Sequence, residues 1–209
     1  MSGETANIMA MAEKVARDVL GRFGWSLTGP CNENFPCEKV DDHRKKTHPN
    51  HPVDAVFQYD DPYTEARQYL LTDFKSYAKK TITADAIRTA LVHLSSAVDC
   101  ANISATWQDR YINTQIGSEV HGLLFIYNHD GDFDLDFMRH LAGTRNSALK
   151  LPAHSRLYVF GPERIRYLQN VLNDVDVQRG RGQLPASSTI ALSVPCRRST
   201  WLDKSKGFG

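Results

Sequence analysis

Val120-His121-Gly122-Leu123-Leu124-Phe125-Ile126-Tyr127 is a nearly continuous apolar run. A strand with one wet face alternates apolar and polar residues; a run without alternation suits a central strand covered on both faces. Such a strand needs helices on each side, and the chain supplies them. Between Thr81 and Val98, the residues Ile87, Ala90, Leu91, Leu94, Ala97 and Val98 share one helical face. Near the N-terminus Ile8, Met11, Ala12, Val15, Val19, Leu20 and Phe23 recur at three- and four-residue spacing, predicting an amphipathic helix that ends near Gly24.

Two further strands precede the Thr81–Val98 helix. Val53, Ala55, Phe57 and Tyr59 alternate with Asp54, Val56 and Gln58 until Asp60-Asp61-Pro62 stops them, and Gln68 to Tyr77 forms a second apolar strand. The short turn between them predicts an antiparallel hairpin. From Gly29 to Pro52 the chain holds Pro30, Pro36, Pro49 and Pro52 among polar residues, which reads as a long loop with room for a short strand or turn. After the apolar run come a helix starting near Asp134, a buried strand from Arg156 to Phe160 and a helix from Ile165 to Leu172. The expected architecture is α/β, a mixed central sheet flanked by helices. We expect a single domain over residues 1–198, with 199–209 as a flexible tail.

The bulk properties exclude several classes. With 41% hydrophobic and 23% charged residues the composition is that of a folded globular protein. No stretch approaches the ~18 consecutive apolar residues of a membrane span. Met1-Ser2-Gly3-Glu4 opens no signal peptide, so the expected location is the cytoplasm. Cys31, Cys37, Cys100 and Cys196 are too few and scattered for a secreted disulfide framework.

Chemistry concentrates in Asp73-Phe74-Lys75. Side chains two apart on a strand share a face, so Asp73 and Lys75 project together with Tyr69 and Leu71, while Leu70, Thr72, Phe74 and Ser76 face the other way. An ionised pair in so apolar a strand needs a partner, a metal or solvent. Asp54 on the adjoining strand brings a second carboxylate toward the same point. Two carboxylates and an ammonium suit phosphodiester hydrolysis: Mg²⁺ prefers carboxylate and water oxygens, and Lys75 is placed to orient or deprotonate the attacking water. The plainer alternative is a half-exposed ion pair with Asp54 solvated beside it.

Pro52-Val53-Asp54, a spacer through Asp61 and Glu65, and then Asp73-Phe74-Lys75 resembles the signature of the PD-(D/E)XK nuclease superfamily. The resemblance covers about residues 8–130 and implies a restriction-endonuclease-like αβββαβ core, with residues 131–198 as an α/β extension. It implies a first core strand around Trp25 to Leu27. It also implies Asp54 and Asp73 as ligands of Mg²⁺ or Mn²⁺ and Lys75 as the catalytic lysine. Many members, including the Holliday-junction resolvases, add a glutamate from the preceding helix. Glu13, beside Leu20 by helical angle, is the candidate for that catalytic and metal-binding part, and Glu4 a weaker one. Val53 between the proline and the aspartate, and the long loop after the first helix, depart from the pattern.

Other groups compete for attention. Cys31, Cys37, His43, His48 and His51 crowd one loop, a donor set for structural Zn²⁺, but five residues between the cysteines do not match the familiar fingers. The favoured reading is therefore a polar loop with solvated histidines. Arg44, Lys45 and Lys46, with Lys79 and Lys80 after the second strand, bracket the Asp73 region and are candidates for nucleic-acid phosphate contacts. Asp130, Asp132, Asp134 and Asp136 lack the glycine and glutamate of a calcium loop and read instead as a turn followed by a helix N-cap. No phosphate loop or nucleophile elbow is present.

The resulting expectation is a DNA endonuclease in restriction, repair, recombination or defence. The alternative is a catalytically inactive nuclease-like module that binds nucleic acid or protein. A net charge of +1 offers little general attraction for DNA, so a homodimer or a partner subunit is an expected aid.

Overall fold

A computed structural model of the chain describes residues 3–43, 49–63, 66–114, 117–142 and 149–185. Helix α1 (Gly3–Arg22) stops where Gly24 takes a φ of 83° and Trp25 N–H donates back to the Leu20 carbonyl at 3.1 Å. This left-handed position is one that glycine adopts without strain. The elements that follow are β1 (Ser26–Leu27), β2 (Glu33–Pro36), β3 (Asn50–Val53), β4 (Ala55–Asp60) and β5 (Arg67–Tyr77), then α2 (Ala84–Ala101) and α3 (Ala105–Tyr111). Strand β6 (Ser118–Asn128), α4 (Phe137–Ala142), β7 (Leu157–Phe160) and α5 (Pro162–Gly180) complete the described fold.

The main sheet has the order β1-β4-β5-β6-β7, and β2 and β3 form a separate antiparallel pair. Strand β4 pairs antiparallel with both β1 and β5, while β6 lies parallel to β5, and β7 parallel to β6. Elements α1, β1, β4, β5, α2 and β6 trace the αβββαβ order of a restriction-endonuclease-like fold.

Two apolar layers, one on each face of the sheet, bury the central strands. On one face Ala12, Ala16 and Leu20 of α1 and Ile165 and Leu168 of α5 join Phe57, Leu70, Phe74 and Phe125. On the other Leu91 and Leu94 of α2 and Trp107 of α3 join Val56, Leu71, Leu124 and Ile126. Strand β6 therefore has no wet face along Val120 to Ile126, as its unbroken apolar sequence requires. Gly122 permits the close approach of α2 and β7, since a Cβ there would lie 2.5 Å from Leu157 Cδ2 and 3.0 Å from Leu94 Cγ.

Three features differ from expectation. The Gly29–Pro52 loop contains the β2–β3 hairpin, in which Phe35, His51 and Val53 are buried while Pro36 and Pro52 are exposed. Prolines are tolerated there because a two-stranded ribbon has only edges. The strand read as continuous from Val53 to Tyr59 breaks at Asp54, and α3 follows α2 where no separate helix was foreseen. The acidic run behaves as expected: Asp136 Oδ1 accepts from Met138 N–H at 2.9 Å, next to the start of α4.

His121 is buried in β6. Its Nδ1 accepts from Arg156 N–H at 3.2 Å, so the proton sits on Nε2, which donates to Gln68 Oε1 at 2.6 Å. Burial pushes its pKa down to about 4, against the opposing charge of Glu119. Between pH 6.5 and about 4 the unfolded chain binds a proton that the folded chain refuses, so this group's contribution to stability is complete above 6.5 and declines as the pH falls. Urea unfolding of wild type and His121→Gln at pH 7 and pH 4.5 tests this. Wild type should lose roughly 2–3 kcal/mol more than the variant across that interval; equal losses would contradict a neutral buried His121.

Candidate active site

Asp54 stands where the chain passes from one sheet to the other. Val53 pairs with Glu33 in the small sheet and Ala55 with Thr72 in the main one. By that register Val53 would face Phe74 next, but it has already left the ladder. Phe74 N–H is satisfied by the Asp54 carboxylate instead, Oδ2 accepting at 2.7 Å. On its backbone side Asp54 is held by Asn32 N–H, which donates to the Asp54 carbonyl at 2.9 Å.

Across from it, Asp73 and Lys75 project from β5 on the face of Tyr69 and Leu71, toward the α2 layer. Lys75 Nζ donates to Asp73 Oδ1 at 2.5 Å, with both side chains part-buried. Burial and the charge of Asp73 push the Asp54 carboxyl up to about 6, although the Phe74 N–H and Lys75 pull the other way. Burial also raises Asp73, against the charge and hydrogen bond of Lys75. For Lys75, burial alone would favour the neutral amine, but the charges of Asp73 and Asp54 outweigh it and hold the ammonium above its usual range. The two carboxylates are close enough to share a hydrogen bond. Two acidic groups that each bind protons more tightly than usual, sharing one ammonium, form a site short of positive charge. The donors are oxygens, which fits a hard divalent cation such as Mg²⁺ or Mn²⁺.

Tyr77, two residues beyond Lys75 on the same face, also interacts with this group. Burial raises its hydroxyl, with Lys75 and Asp73 acting in opposite directions. The period-two pattern of the strand contained that signal, but Tyr77 was not singled out.

Glu13 sits on α1, whose buried residues pack on the Phe74 face of β5, opposite to Asp73 and Lys75. Its carboxylate is engaged by Arg17 Nη2 at 2.5 Å. Glu4 has no described side chain. Lys79 and Lys80 lie in the 3-10 turn Lys79–Thr81 just past β5. Lys79 pairs with Asp134 at 2.6 Å, while Lys80 is exposed; both line an open cleft of about 680 Å³ with Asp130, Asp132 and His140. Arg44, Lys45, Lys46 and His48, and the tail 199–209, lie outside the described residues.

Two readings of the loop are corrected: His51 is buried rather than solvated, and Cys31 does not stand with Cys37 as a zinc pair. Cys31 packs with the α1 layer, 3.4 Å from Arg17 Nη2, whereas Cys37 belongs to the α2 layer on the far side of the sheet. Cys37 is grouped instead with His43, His51 and Cys100. Cys100 is 63 residues from Cys37, a separation that no local spacing rule could have bridged.

An αβββαβ core with an aspartate entering one strand and an Asp-x-Lys triplet on the next defines a PD-(D/E)XK nuclease domain. The family model described as the GAPS4 protein PD-(D/E)XK nuclease domain matches residues 1–164, and the chain belongs to that family. Comparison with curated proteins and with solved structures gave no match. Among the described residues no helix is long and apolar enough to cross a membrane.

The electrostatics predict opposite effects for two variants in buffer without added divalent metal at pH 7.5. Asp54→Asn removes a repelled carboxylate, keeps an acceptor for Phe74 N–H, and should stabilise the fold by roughly 1–3 kcal/mol. Lys75→Met strands two buried carboxylates and should cost about 2–4 kcal/mol. Thermal unfolding measures both, and a destabilised Asp54→Asn would contradict the charge-deficient site.

Proposed function

We propose that the chain is a Mg²⁺- or Mn²⁺-dependent DNA endonuclease in which Asp54 and Asp73 hold the metal and Lys75 is the catalytic lysine. The observation that carries this reading is the convergence of the two aspartates, both with raised proton affinity, on one ammonium at the junction of β3 and β4.

When bound, the cation would polarise the scissile phosphate and acidify a coordinated water. Asp54 and Asp73 would supply the hard oxygen ligands. Lys75, held as an ammonium by the carboxylates beside it in the metal-free site, would orient the water and offset charge developing on the phosphate oxygens. We leave Glu13 out of the proposed ligand set, because Arg17 holds its carboxylate and its helix packs on the Phe74 face.

DNA phosphates would be contacted by Arg44, Lys45 and Lys46 and by the exposed Lys80, with Lys79 joining if its pair with Asp134 opens. With a net charge of +1, affinity for DNA would come from these basic residues and from a second copy or a partner subunit. The role fits restriction, repair, recombination or defence.

Incubation with plasmid, linear duplex, branched DNA and RNA in Mg²⁺ and Mn²⁺ tests the proposal. Internal cleavage of DNA is expected, with Asp73→Asn and Lys75→Ala each reducing the rate by at least about 10²-fold and Glu13→Gln leaving it within a few-fold. Cleavage that survives Lys75→Ala would refute the assignment. Binding without cleavage in either metal would favour the inactive, nucleic-acid-binding alternative.

A further inference from the structure

Cys37, His43, His51 and Cys100 bring four ligand atoms within 4.8 Å of one another. Cys37 follows β2, His43 lies in the turn after it, His51 is in β3 and Cys100 is in the last turn of α2. All four are withdrawn from solvent: Cys37 is 7% exposed, His51 1% and Cys100 0%, and the His43 side chain is 0% exposed. We infer that these residues form a structural Cys₂His₂ zinc site, separate from the carboxylate centre, that clamps the β2–β3 hairpin to the end of α2.

The distances fit a tetrahedron. With Zn–S about 2.3 Å and Zn–N about 2.0–2.1 Å, ligand edges are about 3.8 Å between sulfurs and about 3.5 Å between sulfur and nitrogen. Cys37 Sγ and Cys100 Sγ are 3.8 Å apart, and His43 Nδ1 is 3.4 Å from each of them. His51 brings the fourth ligand atom within 4.8 Å of the other three. The charges also balance, because two thiolates neutralise Zn²⁺ and leave no net charge in a dry site. Two soft sulfurs with two imidazoles select zinc over the hard cation proposed for the aspartates.

The surroundings are those that a metal centre needs. His43 turns its other nitrogen, Nε2, toward Asp99 Oδ2 at 3.2 Å, and both Asp99 oxygens accept from Lys39 Nζ at 2.9 Å. A carboxylate behind a ligating imidazole sets its tautomer and strengthens it as a donor. The backbone N–H groups of Glu38 and Lys39 also point at the Cys100 sulfur. The consequence reaches the nuclease site through the chain itself: β3 ends at Val53, and Asp54 is the next residue.

Elemental analysis of the full chain, purified without chelator, tests the inference, and about one zinc per chain is expected. A mercurial thiol reagent should release it, as read with a zinc-binding dye, and cobalt exchange should give the strong visible bands and thiolate-to-metal charge transfer of a tetrahedral site. Cys31→Ser and Asp73→Asn should retain the zinc, and Cys100→Ser should lose it. Should Cys100→Ser fail to fold, the cobalt spectrum of wild type decides. A wild-type protein with neither zinc nor a thiolate-to-cobalt band would overturn the site. So would a native Cys37–Cys100 disulfide found by peptide mass spectrometry, or zinc kept in Cys100→Ser and lost in Cys31→Ser.

Discussion

When β4 meets β5, the register brings Phe74 N–H toward a strand partner that is no longer there, because Val53 has turned away to pair with Glu33. An unpaired buried N–H costs about as much as a lost hydrogen bond. The Asp54 carboxylate fills the gap, and in doing so it is pinned beside Asp73. The hydrogen bond thus settles backbone satisfaction and carboxylate placement together. An alanine at this position would leave the N–H unpaired and remove the charge.

The rest of the site follows from which way β5 faces. Phe74 packs into the α1 layer, so Asp73 and Lys75 must emerge on the α2 side, where the apolar layer thins toward Tyr77. Burial there raises the proton affinity of both carboxylates, and their attraction keeps Lys75 charged. Ordinary surface ion pairs are nearly balanced in charge and exchange freely with water. This group has one ammonium for two carboxylates and is held by a strand on each side, which leaves it short of positive charge.

Much of the fold was legible because it is periodic. The unbroken Val120–Tyr127 run announced β6, the alternation from Ala55 to Tyr59 and the Gln68–Tyr77 run announced the β4–β5 pair, and Asp73-Phe74-Lys75 lay where the residue pattern put it. The break at Asp54 was hidden, since the alternation runs through Val53 without interruption and only the switch of partner strand reveals it. The β2–β3 hairpin was masked by its prolines. For Glu13, a helical angle gives direction around α1 but says nothing about which face of the sheet α1 covers. Cys100 shows the limit most clearly: it joins the loop ligands only after α2 has carried it back across the fold.

Anomalous diffraction from crystals soaked in Mn²⁺ tests the central claim most directly. The account predicts a peak bonded to carboxylate oxygens of both Asp54 and Asp73 at about 2.1–2.2 Å, with Phe74 N–H still donating to Asp54. Absence of manganese between these two residues, in crystals that leave them open to solvent, would contradict it.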